Sequence, residues 1–401
     1  LKAHYKKHIL EFKTPSGTSR GILKTKEAWF IVLEDKGSHG FGECGMLRGL
    51  SIDDRPDFEQ TLQWVCANIH LGEQHLYDAL TEFPSIQMGL EIAFRSLAAH
   101  DPFQIYPSAF TKGEASIAIN GLIWMGDKDF MSKQIATKLN EGFGCIKMKI
   151  FRSLAAHDPF QIYPSAFTKG EASIAINGLI WMGNKAFMSK QIATKLNEGF
   201  GCIKMKIGAI NFDTELALLK SIRQEFSASE IEIRVDANGA FDPKNALEKL
   251  KQLSDLDLHS IEQPIAVKKW DQMAYLCEKS PLDIALDEEL IGVFSNQDKQ
   301  RLLNHINPQY IILKPSFIGG FKGSDSWIEL SQTNNVKWWV TSALESNVGL
   351  NAISQYTFTK NSTLPQGLGT GSLYTNNIAS ALQITKGTLC YNPTKKWNFN
   401  L

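Results

Sequence analysis

Charged residues close five apolar stretches at nearly even intervals: Ile203-Lys204-Met205-Lys206, Arg234-Val235-Asp236, Ser260-Ile261-Glu262, Ala285-Leu286-Asp287 and Ile312-Leu313-Lys314. From Lys206 the steps are 30, 26, 25 and 27 residues, about the length that one strand, one helix and two loops consume in a parallel βα repeat. A chain with this period is constrained to an α/β architecture. In a (β/α)₈ barrel the C-terminal ends of all strands lie on one face, so residues far apart in sequence meet around one mouth.

The residue types in this ladder are chemically selective. Asp236, Glu262 and Asp287 from neighbouring strands make an all-oxygen set suited to a hard cation such as Mg²⁺, which keeps positions open for water and substrate. Lys206 lies on one side in strand order and Lys314 on the other. A lysine close to a dication and to another lysine is driven to titrate below its free value, as a general base requires. Any one of these positions alone is an ordinary strand end with a solvated charge; the five together predict a catalytic site.

The order Lys-x-Lys, Asp, Glu, Asp, Lys resembles the enolase superfamily, within its muconate lactonizing enzyme-like branch. The local wording Val-Asp-Ala-Asn-Gly-Ala-Phe (235–241), Ile-Glu-Gln-Pro (261–264), Ala-Leu-Asp-Glu (285–288) and Leu-Lys-Pro-Ser-Phe-Ile-Gly-Gly (313–320) is most similar to the o-succinylbenzoate synthase family. The resemblance covers almost the whole chain outside one repeat. It implies a modified TIM barrel, with Ser342-Ala343-Leu344-Glu345 in the seventh strand region and Gly367-Leu368-Gly369-Thr370 in the eighth. It also implies a Mg²⁺-dependent lyase, with Mn²⁺ as a possible substitute metal, that removes a proton α to a carboxylate. The substrate of that family is 2-succinyl-6-hydroxy-2,4-cyclohexadiene-1-carboxylate, which loses water to give an aromatic intermediate of menaquinone synthesis.

By the same resemblance Lys206 is the base and then the acid, Lys204 lies beside it and lowers its pKa, and Lys314 stabilises the intermediate from the opposite face. Asn238 and Arg234 share a strand face with Asp236, being two residues away on either side; they are supporting candidates, with a structural ion pair as the alternative for Arg234. The first ~100 residues form an α+β capping domain. Strands are expected at 4–13 and 27–34, a tight loop at 40–45 and helices at 56–70 and 84–100. The segment from about 375 to 401 is expected to pack back on this cap. In the resembling family such a cap closes over the barrel mouth, and its loops at about 15–20 and 44–55 make Arg20, Met46, Leu47 and Arg48 substrate-binding candidates. Ser342, Glu345, Gly369 and Thr370 are candidates from the last two strand ends.

Residues 94–150 recur as 151–207 with two changes, Asp127 against Asn184 and Asp129 against Ala186. Solenoid repeats diverge further and number at least three, so this is a recent tandem duplication or an artefact. Lys147 and Lys149 repeat Lys204 and Lys206 perfectly. Each copy carries the end of a cap helix, a connector, strand one (115–120 or 172–177), helix one and strand two, and only one copy can fill each barrel position. The second copy keeps Lys206 next to its own following helix and strand, so residues 151–374 are expected to form the barrel and Lys147 and Lys149 to be non-catalytic. The surplus carries a closure cost of roughly 3.6 kcal/mol for a 57-residue loop, and it could lie on the surface or exchange between chains as a domain swap.

With 42 basic and 42 acidic residues the net charge is zero, which gives no reason to expect nucleic acid or an anionic membrane as partner. The expected partner is a small-molecule carboxylate, for a monomer or homo-oligomer. Cys44, Cys66, Cys145, Cys202, Cys277 and Cys390 include no Cys-x-x-Cys pair, and reduced thiols are expected. The opening residues hold no apolar signal core and no run reaches membrane length, so the cytoplasm is expected. Two other functions fit the ladder. An N-acylamino acid racemase or dipeptide epimerase would use the same two lysines on opposite faces, although dipeptide epimerases carry an Asp-x-Asp where this chain has Gly-Leu-Gly-Thr. A duplicated, inactive scaffold is the reading of a different class.

Overall fold

The computed structural model describes residues 1–18, 21–122, 145–147, 160–161, 177–180, 202–206, 212–213, 216, 219–220, 223, 227–228, 232–362, 364–385 and 388–399. Three antiparallel strands open the chain: β1 (Lys2–Thr18), β2 (Gly21–Asp35) and β3 (Ser38–Cys44). Lys36 and Gly37 join β2 to β3 with φ of 49° and 86°, the left-handed pair that suits the twist of a two-residue hairpin. Residues 28–33 of β2 are buried on both faces. Trp29, Ile31 and Leu33 pack with Phe58, Leu62, Val65, Ile86 and Leu90 in one apolar cluster, whereas Ala28 and Phe30 belong to the cluster that fills the rest of the molecule.

Helices α1 (Phe58–Ala67), α2 (Glu73–Ala79) and α3 (Pro84–Ala98) follow, with Pro84 at the first helical position, where its missing N–H costs nothing. The expected loop at 40–45 is instead mostly β3, registered on β2 through Phe41 against Val32 and Gly42 against Ile31. Its glycines serve a close approach and not a turn. A Cβ on Gly42 would lie 1.8 Å from the Gly89 carbonyl oxygen of α3.

The parallel sheet begins with β4 (Ser116–Leu122), β5 (Cys145–Lys147), then, after a two-residue β6 (Phe160–Gln161) that pairs antiparallel with β4, β7 (Asn177–Ile180) and β8 (Cys202–Lys206). The regular βα repeat then runs through β9 (Glu232–Asp236), α4 (Pro243–Ser254), β10 (Ser260–Glu262), α5 (Trp270–Lys279), β11 (Ile284–Leu286), α6 (Asn296–Ile306), β12 (Tyr310–Leu313), α7 (Pro315–Ile318), α8 (Gly320–Thr333), β13 (Lys337–Val340) and α9 (Asn347–Thr359). Strands β8 to β13 pair in sequence order, all parallel. Residues 366 and 367 make parallel bridges to Ile119 of β4 and to Thr341 after β13, so the two margins of the sheet share one segment, as barrel closure requires.

The chain ends in an antiparallel pair, β14 (Leu382–Thr385) and β15 (Thr388–Tyr391), with β15 added to β4. Phe399 packs on Phe30 and Phe41, and Trp397 stacks on Phe103. Among the described residues no helix is long and apolar enough to cross a membrane, and Cys44, Cys66, Cys277 and Cys390 are unpaired thiols.

Both repeat copies contribute strands to the sheet, the first of them from outside the residues 151–374 expected to form the barrel. First-copy β4 pairs with β5 through Gly121 against Ile146 and Leu122 against Lys147. Second-copy β7 pairs with β8 in the identical register, Gly178 against Ile203 and Leu179 against Lys204. β4 holds the position beside Gln366 and β15, while β8 holds the position beside β9. The connector of the first copy is also used: Tyr106 N–H donates to Gln355 of α9 at 3.0 Å, and Phe103 O accepts from Asn351 and Gln355.

The Gly42 contact allows a test of the β3–α3 seam. Gly42→Ala must push the strand off the helix, and overpacking of this kind typically costs about 1–3 kcal/mol. Equilibrium denaturant unfolding should show a loss in that range, and wild-type stability would exclude the close approach.

Candidate active site

Each ladder residue stands at the last position of its strand or one beyond. Lys206 ends β8, Asp236 ends β9 and Glu262 ends β10, while Asp287 and Lys314 follow β11 and β12 directly. Parallel pairing places Lys206 opposite Asp236, and Asp236 opposite Glu262. Neighbouring strands are about 4.8 Å apart, so the period becomes a row across one barrel mouth. Of Lys204 and Lys206 the structure describes the backbone, with Lys204 opposite Arg234.

The three carboxylates are buried: Asp236 is 0% exposed, and Glu262 and Asp287 are 3% exposed. Lys314 Nζ forms an ion pair with Asp287 Oδ2. Lys314 precedes Pro315, which disfavours a helical backbone at 314, and φ −112°, ψ 96° hold it extended at the strand end. Asp236 Oδ1 accepts the Asn238 N–H at 2.9 Å, and Asn238 Nδ2 donates to Glu288 Oε1 at 2.9 Å. Asn238 is left-handed at φ 43°, a conformation asparagine tolerates better than most residues.

Among the described residues no three His, Cys, Asp or Glu side chains converge tightly enough to enclose an ion. The donor chemistry nonetheless fits Mg²⁺, which is commonly held through one or two carboxylates together with water and substrate oxygens. The Lys314 ammonium supplies positive charge at Asp287.

The remaining candidates separate. Ser342 Oγ and Thr370 Oγ1 lie 2.8 Å apart at the ends of the last two strand segments, buried at 6% and 0% exposure, with Gly369 immediately before. Leu47 packs against the main core cluster, but Met46, 1% exposed, is in the cap core with Trp29. Arg48 is tied to Glu27 and Asp54, both at 2.6 Å. Arg234 pairs with Glu232 at 2.6 Å and lies over the Trp339 ring at 4.6 Å. It is one strand layer below Asp236, beside Tyr310 and a half-buried His259 whose pKa desolvation lowers to about 3. Arg20 and Lys149 lie outside the described residues, and of Lys147 the backbone is described as the last residue of β5.

Glu345 belongs to the joint between cap and barrel. It accepts from Ser316 Oγ at 2.5 Å and from Ala343 N–H at 2.7 Å, and burial raises its pKa. Two further carboxylates of this joint were not anticipated from sequence. Glu43 of β3 accepts Ser346 N–H at 2.8 Å and Gly349 N–H at 2.9 Å at the start of α9. Glu91 of α3 accepts Phe321 N–H at 2.6 Å and Lys322 N–H at 3.1 Å at the start of α8. Each meets the free N–H groups and positive end of a barrel helix. The available signal was an acid among apolar and small neighbours, Gly-Phe-Gly-Glu-Cys-Gly and Gly-Leu-Glu-Ile.

Residues 188–390 match the enolase C-terminal domain-like family. Over 395 residues, 97% of this chain and 98% of the relative, the chain is 43% identical to an o-succinylbenzoate synthase of Desulfotalea psychrophila. The crystal structure of MenC from the same organism superposes with a TM-score of 0.74 at 36% identity, covering 97% of this chain and 99% of that one. A dipeptide epimerase from Enterococcus faecalis, complexed with Mg and L-Leu-L-Tyr, has a TM-score of 0.67 at 16% identity, covering 98% and 96%, and so shares the fold.

The joint carries a pH dependence. Burial pushes Glu91 up to about 7 and Asp53, which takes Ser85 at the start of α3, up to about 6, against the opposing pull of their hydrogen bonds. A carboxyl whose folded pKa lies above its unfolded value, about 4, contributes stability that is present at low pH and lost as pH rises through the folded pKa. The melting temperature should therefore fall as pH rises from about 4, the unfolded value, to about 7, and level off above it. Glu91→Gln should flatten that decline, and an unchanged slope in the variant would remove Glu91 as its source.

Proposed function

The chain belongs to the o-succinylbenzoate synthase family of the enolase superfamily, and from that premise we infer how its strand-end residues divide the reaction. The protein is a carbon–oxygen lyase that converts 2-succinyl-6-hydroxy-2,4-cyclohexadiene-1-carboxylate to o-succinylbenzoate in menaquinone biosynthesis. The single observation that carries the division of labour is the register of Lys206, Asp236 and Glu262 across three adjacent strand ends, continued by Asp287 and Lys314.

Asp236, Glu262 and Asp287 would hold Mg²⁺. Bound there, the ion supplies fixed positive charge beside the substrate carboxylate and so lowers the cost of removing the neighbouring proton. Lys206 takes that proton on Nζ and returns it to the departing hydroxyl, so one water leaves and the ring becomes aromatic. Lys204, two residues away on the same strand, keeps the Lys206 pKa low by like-charge repulsion. Lys314 meets the substrate from the side of Asp287. Ser342 and Thr370, whose hydroxyls lie 2.8 Å apart, and Leu47 from the cap are the substrate-contact candidates.

Lys204 and Lys206 are assigned in preference to Lys147 and Lys149 because β8 shares five paired positions with β9.

Lys206→Ala should lower turnover of the cyclohexadiene substrate by at least about 10²–10⁴-fold, the usual worth of a positioned acid–base group. The double substitution Lys147→Ala with Lys149→Ala should leave turnover close to wild type. The opposite pattern would hand the reaction to the first copy. Glu262→Ala should abolish Mg²⁺-dependent turnover while the protein stays folded, and full activity of that variant in chelator-treated buffer would defeat the metal assignment.

A further inference from the structure

Directly after Glu262, Gln263 is buried, 1% exposed, and left-handed at φ 39°. Its Nε2 donates to Glu289 Oε2 at 3.0 Å and to Ile265 O at 3.1 Å, and its Oε1 accepts the Asp287 N–H at 3.4 Å. Two acceptors on one side and a donor on the other leave a single amide orientation that satisfies all three. The Gln263 backbone donates to Ala285 O at 2.9 Å and accepts from Gly239 N–H at 2.6 Å. One residue thus ties together the ends of β9, β10 and β11. Glu289, 5% exposed, receives Lys268 N–H at 2.7 Å and Trp270 Nε1–H at 3.0 Å on its other oxygen. A non-glycine residue in the left-handed region costs on the order of 1–3 kcal/mol and persists where its surroundings determine it. Here the surroundings are the backbone partners Ala285 and Gly239 and, on the side chain, Ile265 O, Asp287 N–H and the Glu289 carboxylate.

We propose that Glu289 is a positioning residue for the cation site: acting through Gln263, it fixes Glu262 relative to Asp287 and so sets how tightly the strand ends bind a divalent ion. The inference rests on the reading in which Asp236, Glu262 and Asp287 hold Mg²⁺. Glu289 stands in no position to touch substrate, since its two oxygens are occupied by Gln263, Lys268 and Trp270. Its effect reaches the ion through the angle between two strand ends.

Glu289→Gln keeps the volume but replaces one acceptor oxygen with an NH₂ group, so donors on one side of the tie meet another donor. Partners of this kind typically set metal affinity by 10–100-fold, and calorimetric titration with MgCl₂ should show the dissociation constant rising about tenfold. Turnover at saturating Mg²⁺ and the metal-free melting temperature should be largely retained, which a merely structural role would not allow. Gln263→Met cuts the same tie from the other end and should shift the Mg²⁺ constant in the same direction. Trp270→Phe removes a donor from Glu289 but spares the Gln263 bond, and should leave the constant as in wild type. An unchanged constant in folded Glu289→Gln, an equal shift in Trp270→Phe, or failure of both Glu289→Gln and Gln263→Met to fold overturns the proposal. Mg²⁺ binding that survives Glu262→Gln would instead defeat the underlying assignment of the ligands, a result separate from these.

Discussion

Parallel pairing forces like charges together at the mouth of this barrel. The strands β9, β10 and β11 end in Asp236, Glu262 and, one residue on, Asp287, and neighbouring strand ends are about 4.8 Å apart. Ionised carboxylates on adjacent strand ends repel one another through the low-dielectric interior. All three side chains are at most 3% exposed, so water cannot screen them. Counter-charge and donors are built around the arrangement: Lys314 on Asp287 and the Asn238 N–H on Asp236. On the proposed assignment of Asp236, Glu262 and Asp287 as ligands, a dication would relieve the same repulsion.

The cap is fastened by the same economy of charge, applied to helix ends. Glu43 and Glu91 each leave the cap and meet free N–H groups at the first turns of α9 and α8. These carboxylates lose their hydration on burial, which raises the pKa of Glu91, and two backbone donors offset only part of that loss. The joint is thus specific in geometry but sensitive to protonation. It also explains why Glu345 is absent from the row of strand-end charges, since its oxygens are taken by Ser316 and Ala343 beneath the cap loop.

The ladder was legible in the sequence because strand ends on one barrel face need no knowledge of side-chain direction: period and residue type suffice. The cap strands and the helices α1 and α3 were legible from apolar periodicity. Contacts between elements distant in sequence were not. Gly40 and Gly42 carry the composition of a turn, and only the approach of α3 explains them as strand residues. Met46 sits in a cap loop but turns into the cap core, while Leu47 beside it faces the barrel cluster. Loop membership alone could not divide the two. Arg234 shares its strand face with Asp236, yet depth along the strand decides its partners. Two residues down, it meets Glu232 and the Trp339 ring.

The repeat marks the limit of local information most clearly. β4 with β5 and β7 with β8 adopt the same register because their residues are the same, so short-range pairing is fully encoded in each copy and cannot choose between them. β5 and β7 are both registered against Cys202 and Ile203 of β8, although a strand has two edges and β9 takes one. The choice therefore passes to features outside the repeat. At one end these are Gln366 and β15, which engage β4; at the other it is β9, which engages β8. Loop-closure entropy grows only as the logarithm of length, so moving the surplus from one connection to another changes little by itself. Among the described strands it is β8 of the second copy that is registered along β9, with the Lys206 backbone opposite Asp236.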